Sequence, residues 1–192
     1  MDFCESEIRQ LVERVLSQCG SVGAGLPAAG GPGEFPVEAS ARHVHLTREA
    51  VEALFGPGAR LTKKRDLSQP GEFLSDQRVK LVTPKGEIPN VAVLGPERGA
   101  VQVELSLTDA RTLGVRAPVN LSGDLSGAGD VWLVGERGVL AAPGSAIAAR
   151  AHIHMTPADA SRLGVRDGEE DRVRVSSGRH VASHQRVGRV KE

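Results

Sequence analysis

The chain has 192 residues, 40% of them hydrophobic, enough to fill one mid-sized domain or two small ones around real cores. Lys plus Arg and Asp plus Glu both total 24, so the formal net charge is zero, which argues against nonspecific polyanion binding. Aromatics are only 3%, with no Tyr, so stacking platforms for single-stranded nucleic acid are excluded as well.

The N-terminus begins Met1-Asp2-Phe3-Cys4-Glu5, acidic where a secretory signal is basic, and no apolar run reaches the roughly 18 residues of a spanning helix. Both cysteines, Cys4 and Cys19, lie in the first twenty residues, too few and too local for a disulfide framework or a thiolate metal cluster. The expectation is a cytosolic protein without membrane or nucleic-acid partners, in which histidines would hold any metal.

Residues 1–19 read as an amphipathic helix: Cys4, Ile8, Leu11, Val12, Val15, Leu16 and Cys19 recur at helical spacing between charged and polar residues. Residues 20–35 form a linker, with eight of the fourteen positions from Gly20 to Gly33 being Gly or Pro. A free helix of about sixteen residues is marginal in water, so its stripe calls for a partner surface, in this protein, in a second copy, or in another chain. After Phe35 the pattern changes to β-type runs: Val79-Lys80-Leu81-Val82, Val91-Ala92-Val93-Leu94, Val131-Trp132-Leu133-Val134 and Arg172-Val173-Arg174-Val175. Pro84-Lys85-Gly86 and Gly135-Glu136-Arg137-Gly138 each separate two such runs as hairpin turns.

An internal repeat organises this body. His43-Val44-His45-Leu46-Thr47, Gln102-Val103-Glu104-Leu105-Ser106 and His152-Ile153-His154-Met155-Thr156 align, each a strand running into a helix. Thr47, Ser106 and Thr156 stand at N-cap positions, Pro157 fits the first helical position, and Gly56, Gly114 and Gly164 suit the helix exits. Asp66-Leu67-Ser68 and Asp124-Leu125-Ser126 extend the match between the first two repeats. A third repeat of the same length would outrun the chain, which stops at Glu192, and residues 176–192 are basic and lack strand alternation. The last repeat is therefore expected to be incomplete and its tail to add no strand.

Four of the six histidines fall in two His-x-His tripeptides, His43/His45 and His152/His154. On a strand, residues i and i+2 project from one face, so each tripeptide presents two imidazoles to one point in space. Glu104 occupies the repeat position of His45 and His154 and would add a carboxylate where the strand ends converge. With imidazole and carboxylate donors zinc is the default, although cobalt, nickel and iron fit the same ligand types, and five ligands suit two ions better than one. Arg98, in a Gly/Pro-bounded loop, could bind phosphate bidentately beside such a centre. His180 and His184 lie at no repeat strand end. The spacing alone points to a metal centre, with two-metal chemistry available to it, and names no reaction.

At Ser40-Ala41-Arg42-His43-Val44-His45-Leu46, Arg65-Asp66-Leu67-Ser68-Gln69-Pro70-Gly71, Val93-Leu94-Gly95-Pro96, Gln102-Val103-Glu104 and Ala151-His152-Ile153-His154-Met155-Thr156-Pro157, the chain resembles the phosphate propanoyltransferase family, the PduL-type phosphotransacylases. The resemblance covers about residues 36–175. It implies a mostly β fold with short α-helices, made of two small β-barrel subdomains built from strand-helix repeats, here 36–110 and 111–175 with the second incomplete, followed by a divergent tail over 176–192.

It also implies interconversion of an acyl-CoA (propanoyl- or acetyl-CoA) plus phosphate with an acyl phosphate plus CoA at a dinuclear zinc site. His43, His45 and Glu104 would hold one zinc and His152 and His154 contribute to the other. Arg98 would bind the transferring phosphate, and Ser40, Ala41, Arg42 and Lys85 would lie against CoA. In the family the second zinc takes a third histidine from a later segment, and an asparagine near it touches CoA; neither has a counterpart here after Val175. That departure supports the alternative of an impaired homologue serving as a microcompartment-associated or oligomerising protein. Some members carry an N-terminal helix and linker that direct them into bacterial microcompartments, and residues 2–33 are similar in design. The implied location is the bacterial cytoplasm, inside a microcompartment if that helix engages the shell or enzyme core.

Overall fold

The computed structural model describes residues 40–69, 71–174, 184–188 and 190–191. The N-terminal helix and the linker read from the sequence lie outside the described residues. Strand β1 (His43–His45) leads into helix α1 (Arg48–Phe55), then β2 (Lys63–Asp66) and a hairpin of β3 (Phe73–Thr83) and β4 (Gly86–Gly95). The second repeat opens with β5 (Gln102–Glu104) and α2 (Leu107–Leu113), continues through β6 (Val119–Asn120), and ends in a hairpin of β7 (Gly129–Val134) and β8 (Val139–Ala149). The third comprises β9 (Ile153–His154), α3 (Pro157–Leu163), β10 (Glu170–Arg174), β11 (His184–Gly188) and β12 (Val190–Lys191).

The helix starts follow from the expected caps. The side chains of Thr47, Ser106 and Thr156 accept the backbone N–H groups of Ala50, Asp109 and Asp159, satisfying donors that have no intrahelical acceptor. Asp159 in the first turn of α3 is held below the usual carboxylate range, chiefly by its hydrogen bond from Arg162 and next by that from Thr156. Gly114 and Gly164 end α2 and α3 in the left-handed region.

Six strands close into a barrel in the order β3-β4-β1-β5-β8-β7, with β7 pairing back onto β3; β2 extends the sheet beside β3, and β6 beside β8. The ring has a local two-fold relation between the first two repeats. Strands β1 and β5 pair antiparallel through Val44 and Val103, and on the opposite wall β3 and β7 pair antiparallel through Leu81 and Leu133. Each repeat places its first strand parallel to its own hairpin, β1 on β4 and β5 on β8. The barrel therefore takes strands from both sides of residue 110, the boundary expected between two separate barrels.

Each hairpin turn also packs on the other repeat's helix. The Arg137 N–H donates to the Leu54 carbonyl at the end of α1, while the Thr83 hydroxyl donates to the Leu113 carbonyl at the end of α2. Glycine is needed at these crossings, because a Cβ on Gly138 would sit 2.1 Å from the Ala53 carbonyl oxygen and one on Gly86 2.5 Å from that of Thr112. Val44, Leu81, Val91, Val93, Val103, Val131 and Leu133 are fully or almost fully buried in one apolar cluster, the alternate residues that face inward around the ring.

The third repeat begins as the first does. Ile153 and His154 of β9 pair in parallel with Val190 and Lys191, just as Val44 and His45 pair with Val93 and Leu94. Strand β11 forms an antiparallel hairpin pair with β10. The tail was expected to add no strand; it supplies β11 and β12, because pairing with a preceding strand satisfies backbone groups that a weak apolar alternation would not order by itself. Among the described residues these strands make two two-stranded sheets and not a second closed ring. No helix among the described residues is long and apolar enough to cross a membrane.

Candidate metal centre

All three residues of β1 and of β5 are buried, so both faces of this central pair are covered. Val44 and Val103 face the barrel core; alternation then puts His43, His45, Gln102 and Glu104 together on the opposite face. The antiparallel register sets His43 opposite Glu104 and His45 opposite Gln102. All four are nearly inaccessible, at 8%, 2%, 4% and 5% for His43, His45, Gln102 and Glu104.

One ligand atom from each of His43, His45 and Glu104 lies within 4.8 Å of the others. The His43 and His45 rings meet edge to face with centroids 5.0 Å apart. His43 Nδ1 lies 2.8 Å from the Ala41 carbonyl, to which it donates, and Nε2 is the ring nitrogen turned toward Glu104. His43 Nε2 and Glu104 Oε2 stand 3.5 Å apart. Two donors on one tetrahedral zinc are about 3.3 Å apart, given bonds of roughly 2.0 Å. A buried carboxylate is costly unless paired, hydrogen-bonded or bound to a metal, and this donor set fits a divalent ion.

A network of hydrogen bonds supports Glu104. Its Oε1 accepts from Gln102 Nε2 at 2.6 Å and from the Ser122 hydroxyl at 2.9 Å. Gln102 Nε2 also reaches Ser122 Oγ at 3.1 Å, and its Oε1 accepts the Gly123 N–H at 2.9 Å. Neither Gln102 nor Ser122 was singled out from the sequence. The available signal was the repeat itself, since Gln102 holds the position that is His43 in the first repeat and His152 in the third.

Arg98 is tied to the residue that follows β1. Its N–H donates to the carbonyl of Leu46, next to His45, at 2.8 Å, and its guanidinium is 2.5 Å from Glu72 Oε1. Glu72 is a second partner that the sequence reading did not name. Ser40 and Ala41 precede β1, with the Ala41 carbonyl serving His43. Arg42 pairs with Asp109 in the first turn of α2 at 3.0 Å. Lys85 stands at the other end of that helix, its stem packed on Gly114. A helix of this length separates the two basic residues by about 10 Å of rise.

His152 and His154 make a second couple of the same design. His152 Nδ1 is 2.8 Å from the Arg150 carbonyl, again two residues upstream, and the two Nε2 atoms face each other at 2.9 Å. Among the described residues, no third His, Cys, Asp or Glu completes a ligand group around this pair. His180 lies outside the described residues, and His184 enters β11.

The family model for phosphate propanoyltransferase matches residues 36–192, reaching past Val175, where the shared words end. The phosphate propanoyltransferase of Alkaliphilus metalliredigens is 43% identical over 188 residues, covering 98% of this chain and 86% of that protein. That of Leptotrichia buccalis is 50% identical over 159 residues, covering 82% of this chain and 75% of its own. A third, from Sebaldella termitidis, is 40% identical over 195 residues, spanning 100% of this chain and 86% of that relative.

Proposed function

Since the chain belongs to the phosphate propanoyltransferase family, we propose that it transfers a propanoyl or similar short acyl group between CoA and phosphate at the centre formed by His43, His45 and Glu104. The observation that carries this reading is the buried convergence of those three ligands on one face of β1 and β5 in a chain matched by the family model over most of its length. Zinc is the ion we assign to the site; His152 and His154 would contribute to a second. Such an ion, when bound, polarises a carbonyl and stabilises a departing thiolate.

The chain's own residues supply the rest. Arg98 would grip phosphate through its planar guanidinium and set an oxygen against the thioester carbonyl, with Glu72 fixing the guanidinium plane. That oxygen forms the new C–O bond, the C–S bond breaks, and CoA leaves as its thiolate, so no protein nucleophile is required. Ser40, Ala41 and Arg42 just before β1, the last paired with Asp109 of α2, and Lys85 at the far end of α2, would lie against CoA.

Thiol release from propanoyl-CoA tests the assignment. Release should rise with phosphate concentration, stop on chelation and return with added zinc; release that is independent of phosphate would instead mark a hydrolase. The amphipathic design of residues 1–19 supports docking to a bacterial microcompartment. Deleting residues 1–33 should leave metal content unchanged and abolish co-sedimentation with shells; retained co-sedimentation would remove that role.

A further inference from the structure

We propose that Gln102 and Ser122 are positioning residues that hold Glu104 as a one-oxygen metal ligand and thereby keep a coordination position open for substrate. The inference rests on the metal reading of His43, His45 and Glu104 and assigns a function to the network beside them.

The orientation of the Gln102 amide is fixed by chemistry. The Gly123 N–H can only donate, so the Gln102 atom 2.9 Å from it is the carbonyl oxygen. The amide nitrogen must then face the other way, where its two hydrogens go to Glu104 Oε1 at 2.6 Å and Ser122 Oγ at 3.1 Å. Ser122, having received one hydrogen bond, donates its own proton to Glu104 Oε1 at 2.9 Å. Three side chains thus form a closed ring. Both lone pairs of Glu104 Oε1 are taken, and Oε2 is the oxygen left facing His43 Nε2.

A carboxylate with both oxygens free can chelate, occupying two positions on an ion. With Oε1 occupied, His43, His45 and Glu104 supply three donors, and a four-coordinate ion retains one position for a reacting group. The repeat explains how the second strand came to do this. A His-x-His strand paired antiparallel with another would offer four imidazoles and close the site, whereas Gln102-x-Glu104 offers one ligand and one amide that aims it. Gln102 therefore occupies a histidine's place in the repeat but binds a ligand instead of the ion.

The test uses the full chain stripped of zinc and loaded with cobalt(II), whose visible absorption is strong in four-coordinate and weak in higher-coordinate sites. Ser122→Ala, Gln102→Leu and Glu104→Ala are compared with the parent, the melting of each apo-protein serving as a control of folding. The proposal expects Ser122→Ala and Gln102→Leu to bind cobalt with the parent's stoichiometry but about 10- to 100-fold more weakly. Their visible absorption should fall several-fold, and kcat should fall with little change in KM for phosphate. Should Gln102→Leu misfold, Ser122→Ala, half-buried in the loop between β6 and β7, carries the test. Parental spectrum and affinity in the variants that fold would overturn the positioning role. If Glu104→Ala also leaves the cobalt spectrum unchanged, the metal reading itself fails, and the proposal with it.

Discussion

Two histidines and a glutamate become a candidate metal centre here because of what neighbouring atoms do to each. The Ala41 carbonyl sets the tautomer of His43, and the Gln102–Ser122 pair decides which oxygen of Glu104 is free. Arg98 depends on its neighbour in the same way, being held by Glu72. Replacing Arg98 by Lys keeps the charge but removes the fork that grips two oxygens. Hydrogen bonds to charged groups are worth about 1.5–3 kcal/mol, so Arg98→Lys should raise KM for phosphate roughly 10- to 100-fold and leave metal content unchanged. Steady-state kinetics with metal analysis checks this, and an unchanged KM would remove Arg98 from the phosphate site.

At this scale the sequence was partly legible. The alternation of His43-Val44-His45 announces two imidazoles on one face, and the repeat points to Glu104. It does not announce that the strands pair antiparallel, which sets His43 and not His45 opposite Glu104. Nor does it show that Gln102 is a partner of the carboxylate, because a glutamine among repeated histidines looks like a ligand lost until its hydrogen bonds are known.

The elements were legible where a local signal decides them. Thr47, Ser106 and Thr156 cap helices, and both glycine-bearing turns form hairpins, because caps and turns are settled by residues three or four apart. What a turn packs against is a long-range matter. The turn of the second hairpin lies on α1 and that of the first on α2, so Gly86 and Gly138 serve contacts far away in sequence. A methyl at Gly138 would have to displace the Ala53 carbonyl, which overlap predicts a cost of about 1–3 kcal/mol for Gly138→Ala. A melting temperature lowered by several degrees would show it, whereas an unchanged one would mean the turn does not bear on α1.

For the whole molecule, the two-fold relation is the organising fact. The family resemblance implied barrels, but sequence similarity cannot say whether each repeat closes on itself or two repeats close together. The β3–β7 contact through Leu81 and Leu133 answers that, since it joins hairpins from different repeats and seals one ring. The tail was illegible for a different reason: its composition hides strands whose pairing comes from β9 and β10. The barrel's central strands, one from each repeat, carry the ligands, so the site exists only when both repeats are folded together.

On the proposed function, these two strands build one metal site from His43, His45 and Glu104. The most direct test is a zinc-competition titration of the parent chain, Glu104→Ala and His152→Ala, each assayed in parallel for phosphate-dependent thiol release. A tight ion is expected in the parent, lost together with turnover in Glu104→Ala and retained in His152→Ala. A Glu104→Ala chain that keeps that ion at parental affinity would contradict that reading.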